Sequence, residues 1–199
     1  MLFITKNAVT IAHMLAAVHN KRVIIVDLDA QANTSVFYSN VKVINYLKSL
    51  LLNEPVNKDE VGVSVEDLLI DSRLDIHKTI RHTKYKNLDI IPTFLTLSAC
   101  ENRLQADVTV PQQFWLKQHF QDIQDEYDYC VLDCSPSVSL VNINGLAMAD
   151  KVYIPLKCDA YSACGMATVK QLIRTVTGYN PKLQLGGIFF TQWGNKRVD

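Results

Sequence analysis

The sequence predicts an α/β fold: a mostly parallel sheet with helices on both faces, in a single domain over residues 1–199. Three observations predict it. Short runs of almost wholly apolar residues recur along the chain, as strands buried on both faces do. Segments with helical apolar spacing lie between those runs, the alternation that builds parallel sheets. Two of the runs end in aspartate, and strand ends are where ligands sit in open α/β sheets. A length of 199 residues suits one domain of ordinary size.

The elements follow in order. Ile11, Met14, Leu15 and Val18 mark an amphipathic helix from about Ala8 to Val18. Val23 to Val26 is a continuous β-branched strand. Val43, Ile44, Leu47, Leu50 and Leu51 give a helix over Val41 to Leu52, and Pro55 with its charged neighbours makes Asn53 to Val63 a loop. A short helix fits Ser64 to Ile70, where Ser64 and Asp67 resemble a capping box with Asp in place of Glu. Leu88 to Pro92 reads as a strand and Leu97 to Leu104 as a helix. A longer helix covers Pro111 to Tyr127, with Phe114, Leu116, Phe120 and Ile123 on its apolar side. Strand Tyr129 to Asp133 follows, then helix Leu140 to Met148, strand Lys151 to Pro155, helix Ser162 to Val176 and strand Leu185 to Phe190. No internal repeat or low-complexity tract interrupts this order.

Composition narrows the function. Lys+Arg and Asp+Glu are both 20, so global charge makes no case for nucleic acid, although a local basic patch is compatible with it. No apolar run reaches the ~18–20 residues that span a bilayer. The amino terminus lacks the pattern of a secretory signal, so a cytoplasmic location is expected. The five cysteines, Cys100, Cys130, Cys134, Cys158 and Cys164, contain no CxxC pair and read as small buried thiols without disulfides. The five histidines show no metal-ligand spacing. Ser137 and Ser139 lie near Asp133 but have no paired histidine and no nucleophile elbow.

The chemistry concentrates in carboxylates at strand ends. Asp27 and Asp29 close the first strand, Asp133 closes another, and Gln31 and Asn33 follow the first pair. Carboxylates converging at such ends suit Mg²⁺ held through water and an attacking water held in place. A single such aspartate is more often a helix cap; three on two strands favour a site. A helix leading into the first strand should open on a glycine-rich turn that wraps phosphate. The first glycine is Gly62, and residues 1–10 have none.

Asp27-Leu-Asp-Ala-Gln-Ala-Asn33 resembles the D-x-D-x-Q-x-N segment of the ParA/MinD family of deviant Walker A ATPases, a branch of the P-loop NTPases, and ParA-type partition proteins above all. Tyr127-Asp-Tyr-Cys-Val-Leu-Asp-Cys-Ser-Pro-Ser137 resembles their Walker B region. Asn142 to Pro155 is similar to the following helix and strand, with its A-D-x-V-x-I-P pattern, and Tyr85 to Ser98 to the strand and loop ahead of a long helix. The likeness runs from about Ala8 to Phe190. It implies a role in segregating a plasmid, chromosome or mobile element. ATP and Mg²⁺ are the cofactors it implies, with a homodimer, a ParB-like stimulating partner and non-specific DNA as partners, and no membrane. By the resemblance Asp133 contacts Mg²⁺ through water, and Asp29, with Asp27 behind it, positions the water that attacks the γ-phosphate. Gln31 and Asn33 lie along the switch that senses the nucleotide. Lys170, Arg174, Lys182, Lys196 and Arg197 are the late basic residues that would meet DNA.

The departure is at the loop, which in the family reads K-G-G-V-G-K-T/S. Setting His13 and Met14 on the family's N-L pair places Ile4 to Asn7 on G-V-G-K. A slip of one places Lys6 on the phosphate-binding lysine and Asn7 on the hydroxyl position. Both registers stay open, and both remove the glycines whose backbone freedom the loop requires. Lost charge-assisted hydrogen bonds, each worth ~1.5–3 kcal/mol, imply impaired turnover. Two other readings follow: a non-catalytic pseudo-ATPase scaffold or partner-binding module, and a truncated gene remnant whose amino-terminal loop and carboxyl-terminal helices are incomplete.

Overall fold

Strand β1 (Val23–Leu28) is buried along its whole length and is the axis of the molecule. The computed structural model describes residues 2–38, 49, 51–52, 62–94, 96–106, 112–157 and 160–191. β1 pairs in parallel with β3 (Leu88–Ile91) on one edge and with β4 (Tyr129–Cys134) on the other. A two-residue strand, β2 (Arg81–His82), runs antiparallel along the far edge of β3, giving the order β2-β3-β1-β4. Strands β5 (Lys151–Lys157) and β6 (Gln184–Thr191) pair in parallel as a separate two-stranded sheet. The expected α/β architecture is present, mostly parallel. Hydrogen bonding nevertheless divides it in two, because β4 is not bonded to β5.

Alternate residues of β1 feed different layers, as a period of two requires. Val23 and Ile25 join Leu88 and Ile90 beneath helix α1 (Leu2–Ala17) and helix α2 (Asn33–Tyr38). Ile24, Val26 and Leu28 face the opposite layer, built by helices α3 (Val65–Leu68), α4 (Leu97–Ala106), α5 (Trp115–Phe120) and α6 (Leu140–Met148). Helix α7 (Ala160–Thr177) packs with α6 around Leu146, Leu172 and Val176. No helix among the described residues is long and apolar enough to cross a membrane.

Two expectations change. Helix α1 starts at Leu2, so the stretch expected to form a loop is its first turn and a half. Its buried side is Thr5, Ala12 and Ala16, whereas Ile11, Met14 and Val18 are 40%, 51% and 69% exposed. Small residues let α1 lie close on the sheet, and its larger apolar stripe points elsewhere. The helix expected over Pro111 to Tyr127 shrinks to a 3-10 turn, Gln112–Phe114, and the six residues of α5. Past Phe120 the chain tightens into turns, such as Asp122 N donating to His119 O at 3.2 Å, and descends to β4. There Asp128 is tied to Arg22 through backbone and side chain, at 2.8 and 3.0 Å. The capping reading at Ser64 holds: its N–H donates to the Asp67 carboxylate at 2.9 Å. Cys100 is buried as expected, but Cys130 is exposed; both are free thiols, as is Cys134. The helix expected over Val41 to Leu52, most of the loop after it, Cys158, Trp193, Lys196 and Arg197 lie outside the described residues, save positions 49, 51, 52, 62 and 63.

Helix α6 is fixed at both ends and in the middle. The Ser139 hydroxyl accepts from Asn142 N at 3.1 Å, and Asn180 Nδ2 donates to Leu146 O and Ala149 O beyond the last turns. At Gly145 the helix comes so near the sheet that a Cβ would stand 2.7 Å from Leu28 Cδ1. Gly145→Val is therefore expected to push α6 off β1 and β4 and cost about 1–3 kcal/mol, read as a lower denaturation midpoint. Gly145→Ala should cost less, because the Leu28 methyl can rotate aside.

Candidate functional site

The parallel register of β1 and β4 sets Asp27 directly beside Asp133 at the carboxyl edge of the sheet. Both side chains are buried, as is that of Asp29 just past the strand end. Helix α2 then turns back over them. Ser35 donates to Asp27 Oδ2 twice, from its amide at 2.8 Å and its hydroxyl at 2.7 Å. Thr34 donates its hydroxyl to Asp133 Oδ2 at 2.6 Å. The connecting turn is held by Asp29, whose carboxylate accepts from Gln31 N at 3.0 Å and whose carbonyl accepts from Ala32 N at 2.8 Å. Ala32 takes a φ of 51°, the left-handed region that costs a residue with a Cβ about 1–2 kcal/mol. Ser35 extends the network to β3, since Thr93 N donates to its hydroxyl at 2.8 Å.

From the other side α1 brings Thr5. Its hydroxyl lies close enough to Asp133 to favour the ionised carboxylate but completes no hydrogen bond. Asp133 Oδ1 and Thr5 Oγ1 are thus two buried oxygens without partners. Buried polar atoms are almost always satisfied, so an orphaned pair at a strand end marks a place where something else supplies the contact. Burial raises the Asp27 carboxyl to about 7, with the neighbouring Asp133 charge adding to the effect and Ser35 and Asp29 N–H groups opposing it. Burial also raises Asp133, against the pull of Thr34 and Thr5, while Asp29 adds repulsion. No cation offsets these carboxylates: among the described residues the ion pairs all lie elsewhere.

The structure therefore brings together Asp27, Asp29 and Asp133 from the sequence-predicted set. Asn33 is half-buried at the start of α2, and Gln31 is exposed on the turn before it. Lys6 is exposed on α1 and Asn7 half-buried beside it, so neither stands in a loop around a phosphate-sized space. Sequence reasoning missed Thr5, Thr34 and Ser35. The last two had a readable signal, as hydroxyl residues just after the D-x-D segment. Thr5 had none that separated it from its neighbours, because both loop registers gave it no role. No group of three or more His, Cys, Asp or Glu among the described residues is arranged to hold a metal ion.

Metal-free, the aspartates govern stability against pH. Asp27 binds its proton more tightly in the folded chain than unfolded, where the ordinary value is 3.8. Its contribution is fully present below pH 3.8 and is lost as pH rises toward about 7. That interval corresponds to about 4 kcal/mol at 1.36 kcal/mol per pH unit. Asp27→Asn in EDTA should flatten the pH dependence. It should unfold at higher denaturant than the parent at pH 8 and show little advantage at pH 4; an unchanged pH profile would contradict this account of Asp27.

Comparison with known proteins agrees with the geometry. The family described as the AAA domain matches residues 4–185. An uncharacterized protein of Mycobacterium tuberculosis is 31% identical over 91% of this chain. The chain spans only 52% of that relative, about half its length. The chromosome-partitioning ATPase Soj of Treponema pallidum is 30% identical over 96% of the chain and 67% of its own length. Among solved structures, a plasmid partition protein of Borrelia burgdorferi superposes with a TM-score of 0.73 at 25% identity, covering 98% of this chain and 76% of that one. Cobyrinic acid a,c-diamide synthase of Mycobacterium smegmatis, with bound ATP analog and magnesium, shares the fold at a TM-score of 0.80 and 22% identity, covering 100% and 73%. The buried aspartates at the ends of β1 and β4 and a match over nearly the whole chain place this protein in the ParA/Soj-type group of P-loop ATPases.

Proposed function

We propose that this chain is a ParA-like partition ATPase homologue that keeps the metal end of the nucleotide site and has lost the phosphate cradle. The observation that carries the reading is the pair of buried, unpartnered oxygens, Asp133 Oδ1 and Thr5 Oγ1. Mg²⁺ takes oxygen ligands, keeps several of its waters and is usually held by one or two protein groups plus phosphate. The two oxygens fit that demand. Thr5 would be a direct ligand and Asp133 a ligand through water; when bound, the metal would neutralise charge on the terminal phosphates. Asp29 would orient the attacking water, with Asp27 fixing the turn behind it. Gln31 and Asn33 would read the nucleotide from the turn and the start of α2. Lys6 and Asn7, on the first turns of α1, would supply what phosphate contact remains.

A second reading, a pseudo-ATPase scaffold, is favoured by one specific observation: residues 2–7 are helical where a glycine loop would wrap phosphate. Either reading carries the family's proposed partners, a homodimer, a ParB-like protein and non-specific DNA. Lys170 and Arg174, exposed four apart on α7, and Lys182 beyond it are the described basic residues available for the last.

Calorimetric titration of Mg-ATP into the folded chain separates the two. Binding in the micromolar range is expected, weakened by about tenfold or more, ~1.4 kcal/mol, in both Asp133→Ala and Thr5→Ala. Binding that Thr5→Ala leaves untouched would remove Thr5 from the metal site. No heat at all from a folded chain would leave the scaffold.

A further inference from the structure

A buried carboxyl group is costly unless its oxygens are bonded, and Asp27, Asp29 and Asp133 meet that cost within the site. A fourth buried carboxyl, on Glu66, stands outside it. Helix α3 sends Val65 and Leu68 into the core, and between them Glu66 is only 6% exposed. Its Oε1 accepts from Phe94 N at 2.8 Å and from the Thr96 hydroxyl at 3.3 Å. Its Oε2 is buried without a partner. The Ser64 and Thr93 hydroxyls lie close enough to favour the ionised form, but they donate elsewhere, to Asp67 and to Phe94 O. Burial outweighs these groups and raises the carboxyl, and no ion pair among the described residues involves it. An apolar side chain would fill the same space at lower cost. What the carboxyl adds is an acceptor for Phe94 N.

Phe94 belongs to the segment between β3 and α4, where three successive residues are pinned in alternation. Pro92 O accepts from Val65 N of α3 at 2.9 Å, Thr93 N donates to the Ser35 hydroxyl of α2 at 2.8 Å, and Phe94 N donates to Glu66. Helix α3 thus holds the residue on each side of Thr93. Thr93 is fully buried, and its amide meets the same hydroxyl that donates to Asp27 Oδ2 at 2.7 Å. A hydroxyl that already accepts one hydrogen bond has fewer directions left for its proton, and bonds in such a chain strengthen one another. From Glu66 to Asp27 the path is three hydrogen bonds of 2.8, 2.8 and 2.7 Å, joined by the backbone of Thr93.

We propose that Glu66 is a positioning residue for the aspartate site: by holding the Phe94 N–H it fixes the Thr93 amide on Ser35, and so aims the Ser35 hydroxyl at Asp27. The inference deepens the proposed function and rests on it for any effect on nucleotide, whereas the bonds themselves are internal to the chain. Glu66→Leu keeps bulk and removes the acceptor, and Glu66→Gln keeps an acceptor at the same reach. Hydrogen exchange of the Ser35, Thr93 and Phe94 amides is read in both, with Ile143 N, bonded to Ser139 O in α6, as the amide outside the network.

In Glu66→Leu the three amides should exchange at least about tenfold faster with Ile143 unchanged, and Glu66→Gln should match the parent. Mg-ATP affinity should fall about tenfold in Glu66→Leu and stay at the parent's level in Glu66→Gln. Faster exchange at Phe94 alone, or at Ile143 equally, would overturn the proposal, because Glu66 would then serve only its own loop or the fold as a whole. Glu66→Gln exchanging as fast as Glu66→Leu would overturn it too, as would a parent that binds Mg-ATP no better than Glu66→Leu does. A parent with no affinity for Mg-ATP removes the nucleotide site and leaves the exchange rates to decide whether Glu66 holds Ser35. Should Glu66→Leu fail to fold, Glu66→Asp, one methylene short of Phe94 N, takes its place with the same expectation, and unchanged Ser35 exchange there overturns the proposal.

Discussion

Everything described in this protein is placed by β1, which is bonded to a strand on each edge and buried along its whole length. Its odd-numbered side chains set the height of α1 and α2, and its even-numbered ones seat α3 to α6. Its register with β4 also decides the chemistry, because a shift of one residue would move Asp27 to the opposite face and away from Asp133. The aspartates are thus buried by the same packing that stabilises the domain. The molecule meets that cost by lending Asp27 and Asp133 the N–H and hydroxyl groups of α2.

How much of this was legible in the sequence depended on whether a signal was local. Val23 to Val26, Leu88 to Ile91 and Leu140 to Met148 announce themselves, since a buried strand must be apolar on both sides and a capped helix carries its own boundaries. The two carboxylate-bearing strand ends were legible for the same reason. The two-residue β2 was not, because its existence rests on pairing with β3 and not on its own composition. The extent of α1 was not legible either: residues 2–7 carry no strong helix signal. Thr5 acquires meaning only once α1 is laid across β4, a contact between residues 128 apart in the chain.

The α1 stripe shows how a correct reading of periodicity and a correct structure can disagree. Ile11, Met14 and Val18 have the spacing of a buried face, and the described residues leave them in solvent. The helix settles on Ala12 and Ala16, which pack with Val23 and Ile25 of β1 and Leu88 and Ile90 of β3, because alanine allows a close approach to the sheet, and the larger residues then flank the contact. Periodicity reports that a face is apolar; only topology reports against what it lies.

The left-handed turn at Ala32 has a consequence for kinetics. With Asp29 bonded to both Gln31 N and Ala32 N, the segment between β1 and α2 is fixed by contacts internal to itself. It does not wait for a ligand to acquire its shape. An incoming molecule at these aspartates thus surrenders little loop entropy on arrival, and the barrier to association lies in stripping water from buried carboxylates. Encounter should then be limited by dehydration and ionic strength, with no slow ordering step in this turn.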